Sequence, residues 1–141
     1  MINKEMAKDY LARAERCLKE ASLAIKDEDA GGALRRAQEA LELAVKALLR
    51  LIGIEYPKAH DVSDALIENS SKLPEELKEK IEDLAELISE LASIRGPAFY
   101  GYETEGIPAS KAFKKDYAEN VYKKVKSYVK AIDLSMRKYL S

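Results

Sequence analysis

The chain has 141 residues, 47% of them apolar and 35% charged, with six glycines and four prolines. A chain of that length buries roughly two thirds of its unfolded surface, so one domain over 1–141 is expected without a disulfide or metal staple. The composition excludes disordered, collagen-like and low-complexity classes. Twenty-four bases against 25 acids leave a net charge of −1, so a polyanionic partner would have to be met by a local patch.

A single cysteine, Cys17, and a single histidine, His60, are too few for a Cys/His zinc site or an internal disulfide. No metal or cofactor is expected, and the expected compartment is reducing cytoplasm. Lys4, Glu5, Lys8 and Asp9 deny the start of the chain the apolar run of a signal peptide. Glu42, Lys46 and Arg50 interrupt the most apolar segment, 41–54, so no membrane anchor is expected either.

In chain order, Leu11, Ala14, Leu18, Ala21 and Ile25 recur at steps of three and four, which predicts a helix over 4–26. Asp27-Glu28-Asp29 is an acidic break that can cap a second helix over 30–52, whose stripe is Leu34, Ala37, Leu41, Ala44 and Leu48 and whose stop is Gly53. Pro57 marks a loop, and Asp61 can cap a short third helix to about Asn69. Pro74-Glu75-Glu76 suits the start of a fourth helix, striped by Leu77, Ile81, Leu84, Ile88 and Leu91, and expected to stop at Gly96-Pro97. Residues 96–109 read as the longest loop, and Ser110 as the cap of a fifth helix to about Tyr139 on Phe113, Tyr117, Val121, Val125, Tyr128 and Ile132. The fold expected is all-α: an antiparallel up-and-down bundle of four long helices and one short one.

The next step of the fourth stripe lands on Arg95. A guanidinium there must find a partner or bond the carbonyls of a helix end, so a phosphate-binding and a structural reading both stand. Phe99, Tyr100 and Tyr102 follow; arginine beside tyrosines suits a phosphate with a stacked base, while the same rings also pack bundle ends. His60 has no partner evident in sequence, and Cys17 lies on an apolar helix side. Gly31-Gly32 lacks the strand and lysine of a phosphate loop. Charge is polarised: 74–90 carries a net of −5, and 111–138 a net of +6. Attraction between adjacent helices explains this without a ligand; alternatively Lys111, Lys114, Lys115, Lys123, Lys124 and Lys126 hold a phosphate chain near Arg95.

The run from Arg36 through Ala37-Gln38-Glu39-Ala40-Leu41-Glu42-Leu43-Ala44-Val45-Lys46-Ala47 to Leu48-Leu49 resembles the signature helix of HEPN domains. Arg13-Ala14, the Leu18 and Ala21 spacing, His60-Asp61, Arg95 followed by Ala98-Phe99-Tyr100-Gly101, and the long last helix fall in the family's order. The resemblance implies a homodimer with the arginine regions of both chains facing a shared cleft, and functions centred on RNA or nucleotides. Many members are metal-independent ribonucleases with an arginine, four to six residues, then a histidine; others pair with small nucleotidyltransferases in toxin–antitoxin modules. In one such subgroup the motif is arginine, four residues, histidine, one residue, tyrosine. Here Arg95 and Tyr102 match, but Tyr100 replaces the histidine and Gly96 the usual polar residue.

A phenol near pKa 10 is a poor neutral-pH base beside an imidazole near 6.5. The expectation is therefore an accessory protein that binds nucleotide or RNA through Arg95, Tyr100, Tyr102, Lys111, Lys114 and Lys115, partnered by a small nucleotidyltransferase. The alternative is a divergent ribonuclease in which Arg95 stabilises phosphorane charge and Tyr100 or Tyr102 serves the leaving oxygen. A third use of Tyr100 or Tyr102 is as a target for modification by the partner transferase.

Overall fold

The structure, a computed structural model, describes residues 3–140. Four long helices carry the fold: α1 (Lys4–Lys26), α2 (Ala30–Leu51), α5 (Ile81–Tyr100) and α7 (Lys115–Leu140). Short helices α3 (Ser63–Glu68), α4 (Glu75–Lys78) and α6 (Ala109–Ala112) and a 3-10 turn at Ser70–Lys72 connect them. Among the described residues no strand forms, and Tyr102 and Ile107 make an isolated antiparallel bridge.

The first two helices follow their stripes, and the second its expected acidic cap. Asn3 accepts from the Met6 amide at 3.1 Å, and Asp29 from the Gly32 amide at 2.9 Å, so each helix start has a side-chain acceptor for an orphan donor. Gly53, at φ 77°, ends α2 in the left-handed region, with the Ile54 amide bonding back to Leu49 at 2.8 Å. α2 is the centre of the bundle: 13 of its 22 residues are buried, and α1, α5 and α7 all pack on it. Its alanines, Ala37, Ala40, Ala44 and Ala47, are no more than 1% exposed, which lets its neighbours approach closely.

Two expectations are corrected. The fourth helix breaks at Glu79–Lys80, where the Lys80 amide bonds Leu77 at 2.9 Å in a tightened turn, because α4 packs on α7 while α5 turns to α2 and α3. α5 then runs through Gly96 and Pro97 to Tyr100 instead of stopping at them. Tertiary contacts outweigh the proline here: the Arg35 guanidinium bonds the Arg95 carbonyl at 2.9 Å, and Ala98 is buried where α5 crosses Gly31.

The last helix is interrupted as well. Pro108, not Ser110, occupies the cap of α6, its carbonyl accepting from Lys111 and Ala112 at 3.0 Å. Phe113 is extended (φ −122°, ψ 128°), because its buried ring stacks on Tyr102 with centroids 6.3 Å apart.

The loop therefore shrinks to 101–108. Gly101 sits at φ 74°, ψ −169°, a region open to glycine, and a Cβ there would lie 2.3 Å from the Ile107 carbonyl oxygen. Gly101→Ala is expected to cost about 2 kcal/mol and to detach the 102–107 turn. A thermal melt with amide exchange at Tyr102 checks this; an unchanged melt with that amide still protected would refute it.

Candidate functional site

The last turn of α5 and the loop after it gather the residues singled out in the sequence. The Arg95 side chain is only 19% exposed and points at α2, where its Nη1 donates to the Gln38 carbonyl oxygen and lies 3.8 Å from the Glu39 carboxylate. It thus bonds a neighbouring helix, not the carbonyls of a helix end. Gln38 is itself 3% exposed, and its amide nitrogen donates to Glu42 at 2.7 Å. A carboxylate on one side and a guanidinium on the other fix which way the amide faces.

Glu42 is the hub of this chain. Lys46 donates to its other oxygen at 2.8 Å and also to the Ala59 carbonyl at 2.7 Å, and His60 Nδ1 meets it at 2.9 Å. Burial works to raise the Glu42 pKa, but the bonds from Lys46, Gln38 and His60 together hold it below the ordinary value. His60 and Arg95 are therefore opposite ends of one hydrogen-bonded chain across α2. No spacing around His60 announces this link. A polar stripe on α2 does carry a signal that sequence reasoning missed, since Arg35, Gln38, Glu42 and Lys46 advance by three, four and four along one face.

Outside that chain of bonds the site is aromatic. Phe99 and Tyr100 are 61% and 64% exposed and meet edge to face, with ring centroids 4.7 Å apart. The Arg35 guanidinium lies 5.0 Å over the Phe99 ring, a cation–π pair that also missed notice in sequence. Tyr102 is held more tightly by its backbone bridge to Ile107, at 2.8 and 3.0 Å, and by Phe113. Beyond Phe113, Lys111, Lys114 and Lys115 line a groove of about 380 Å³ against Glu28 and Asp29 at the start of α2.

The remaining candidates lie elsewhere. Lys124 faces Asp83, Glu86 and Glu90 across a groove between α5 and α7, and Lys126 lines a groove between α7 and α1. Across the acidic and basic helices, Tyr117 donates to Glu90, and burial together with that bond pushes its phenol well above the ordinary range. Among the described residues no ion pair joins α5 to α7, and Lys138 pairs with Glu76 of α4. Cys17 is half-buried, and burial with the charges of Glu39 and Glu20 pushes its thiol up, which suppresses the thiolate. Among the described residues no cluster of three metal-ligating side chains occurs and no helix is long and apolar enough to cross a membrane.

A HEPN domain family model matches residues 7–134, which takes in α1 from Ala7 onward, α2, α5 and all but the end of α7. The chain belongs to the HEPN domain family. The crystal structure of TT1696 from Thermus thermophilus is similar to this HEPN domain at a TM-score of 0.73 and 25% identity, covering 92% of this chain and 97% of that one. No curated protein matches. Within this HEPN domain Tyr100 is an exposed ring on α5, and Arg95 is the less exposed of the two.

Proposed function

We propose that this HEPN-domain protein is a nucleotide- or RNA-binding accessory protein, acting as a homodimer beside a small nucleotidyltransferase. One observation carries the binding part: Phe99, Tyr100 and Tyr102 stand exposed around the end of α5, between the Arg35 guanidinium over the Phe99 ring and the lysines at 111, 114 and 115. Exposed rings give bases a stacking platform, and flanking cations meet phosphates. The match of Arg95 and Tyr102 to the nucleotidyltransferase-paired motif supports the partner and the toxin–antitoxin setting. An accessory role fits the chemistry, since the motif histidine is a tyrosine and the chain's histidine is engaged by Glu42.

Fluorescence anisotropy with a labelled single-stranded RNA and with ATP tests the reading. Tyr100→Ala is expected to weaken binding about tenfold, the loss of one stacked base, and Arg95→Ala to weaken it while the helical circular dichroism persists. Binding unchanged in both variants would remove this surface from function. Metal-free cleavage of the RNA that disappears in Arg95→Ala would replace the accessory role with the ribonuclease. Light scattering reports the dimer, and co-expression with a neighbouring nucleotidyltransferase reports the partner.

A further inference from the structure

The groove between α1 and α7 takes no part in the site described above. It has a volume of about 460 Å³ and is lined by Leu18, Lys19, Ser22, Leu23 and Lys26 of α1 and by Tyr122 and Lys126 of α7. Three lysines from two helices converge on it, and no carboxylate lines it. The groove on the other side of Lys19 and Leu23 carries Glu15 and Glu20, and the groove between α5 and α7 carries Asp83, Glu86 and Glu90. Among the described residues, none of the three lysines is in an ion pair. Lys126 lies 5.9 Å over the Tyr122 ring, and Leu23 is 59% exposed.

Like charges held together on a folded surface repel one another, and an anion relieves that repulsion. The groove also lies along the same two chain segments as the basic end of the candidate site. Lys115 and Lys126 are eleven residues apart on α7, about three turns and so on nearly the same face, about 16 Å along the axis. Lys26 ends α1 immediately before the turn whose Glu28 and Asp29 line the groove of Lys111, Lys114 and Lys115. Cations therefore recur from the aromatic end of α5, around the start of α7 where Glu28, Asp29 and Glu119 stand among them, and down the α1/α7 groove, where no carboxylate does. The α7 portion alone spans about five nucleotides at stacked spacing.

We infer that Lys19, Lys26 and Lys126, with Tyr122, form a second contact surface for the phosphate chain of single-stranded RNA whose bases meet Phe99, Tyr100 and Tyr102. This rests on the binding function proposed above and extends it: the ligand is a strand of more than about five nucleotides, not a mononucleotide.

The test compares fluorescein-labelled oligouridylates of four and twelve nucleotides on the wild type and on the triple variant Lys19→Ala, Lys26→Ala, Lys126→Ala, with salt varied from 50 to 200 mM. All three positions are on the surface, and a thermal melt verifies the fold. The expected result is that the 12-mer loses about 2 units of log–log salt slope in the triple variant, about 0.7 for each phosphate contact, while the 4-mer is unaffected.

A 12-mer that binds the triple variant with wild-type affinity and slope overturns the second surface, even if Tyr100→Ala still weakens binding. Loss in the triple variant with no effect of Tyr100→Ala upholds the groove and removes the aromatic end. If no oligonucleotide binds at 50 mM salt, both fall. If a polyglutamate peptide binds the groove and the 12-mer does not, the groove serves an acidic protein segment and the inference is overturned.

Discussion

Gly31→Ala is expected to lower the stability of the bundle by about 2–3 kcal/mol, within the range for an overpacked interior, and its melting temperature by about 10 °C. A Cβ at this position would lie 2.4 Å from the Ala98 carbonyl oxygen and 3.2 Å from the Ala109 Cβ. The first of these is backbone, so the end of α5 has to move. Alanine's better helix propensity returns less than about 1 kcal/mol of that loss. The adjacent Gly32→Ala is the control: its new methyl would meet the Asp29 carboxylate, the far end of a side chain that can rotate away. Losing that cap costs about 1 kcal/mol, partly offset by propensity. Denaturant melts of both variants decide the point, and equal losses would show that the crossing of α5 over α2 is not what Gly31 serves.

Glu42→Gln is expected to cost about 2 kcal/mol at neutral pH, because three donors from Gln38, Lys46 and His60 converge on one carboxylate. Glutamine can accept from some of them but brings an NH2 that faces the others. The acid dependence follows from the depressed carboxyl. A group whose folded pKa lies below its ordinary value, 4.5 here, stabilises the fold fully above that value and loses the contribution as pH falls through the folded pKa. The gap between wild type and Glu42→Gln should be constant above about pH 5.5, a unit over the ordinary carboxyl value, and shrink steadily below it. A gap independent of pH from about 3 to 7, across the carboxyl range, would show that the charge of Glu42 contributes nothing. The same substitution frees the Gln38 amide to turn over, so a shift of the Arg95 Nε resonance is expected alongside it.

The helical architecture was legible where a local pattern and its tertiary use agree. α1 and α2 match their apolar stripes, and α2 also its cap at Asp29 and its stop at Gly53. Disagreement falls where a distant contact overrides a local signal. Pro97 reads as a stop, yet Arg35 supplies a donor to the Arg95 carbonyl and Gly31 leaves room for Ala98, so α5 continues. Phe113 reads as one more turn of a helical stripe, yet burial against Tyr102 pulls it into an extended conformation.

The candidate site divides in the same way. The spacing from Arg95 to Tyr100 and Tyr102 was visible in sequence. The chain of bonds from Arg95 through Gln38 and Glu42 to His60 was not, because His60 comes 18 residues after Glu42 and Arg95 lies 57 after Gln38. Only packing of α5 and the 55–60 segment onto one face of α2 brings them together.

The paired backbone bonds of Tyr102 and Ile107, with Gly101 bonded back to Pro97 at 2.7 Å, have a thermodynamic consequence for any ligand met there. A loose segment would surrender about 1–2 kcal/mol of entropy per residue on being immobilised. Here folding itself has already frozen the turn, so an encounter starts with Tyr102 in place and needs only side-chain rotations at Tyr100 and Phe99. Few contacts then suffice for measurable affinity, and association should proceed in one kinetic phase, with no slow step for loop ordering.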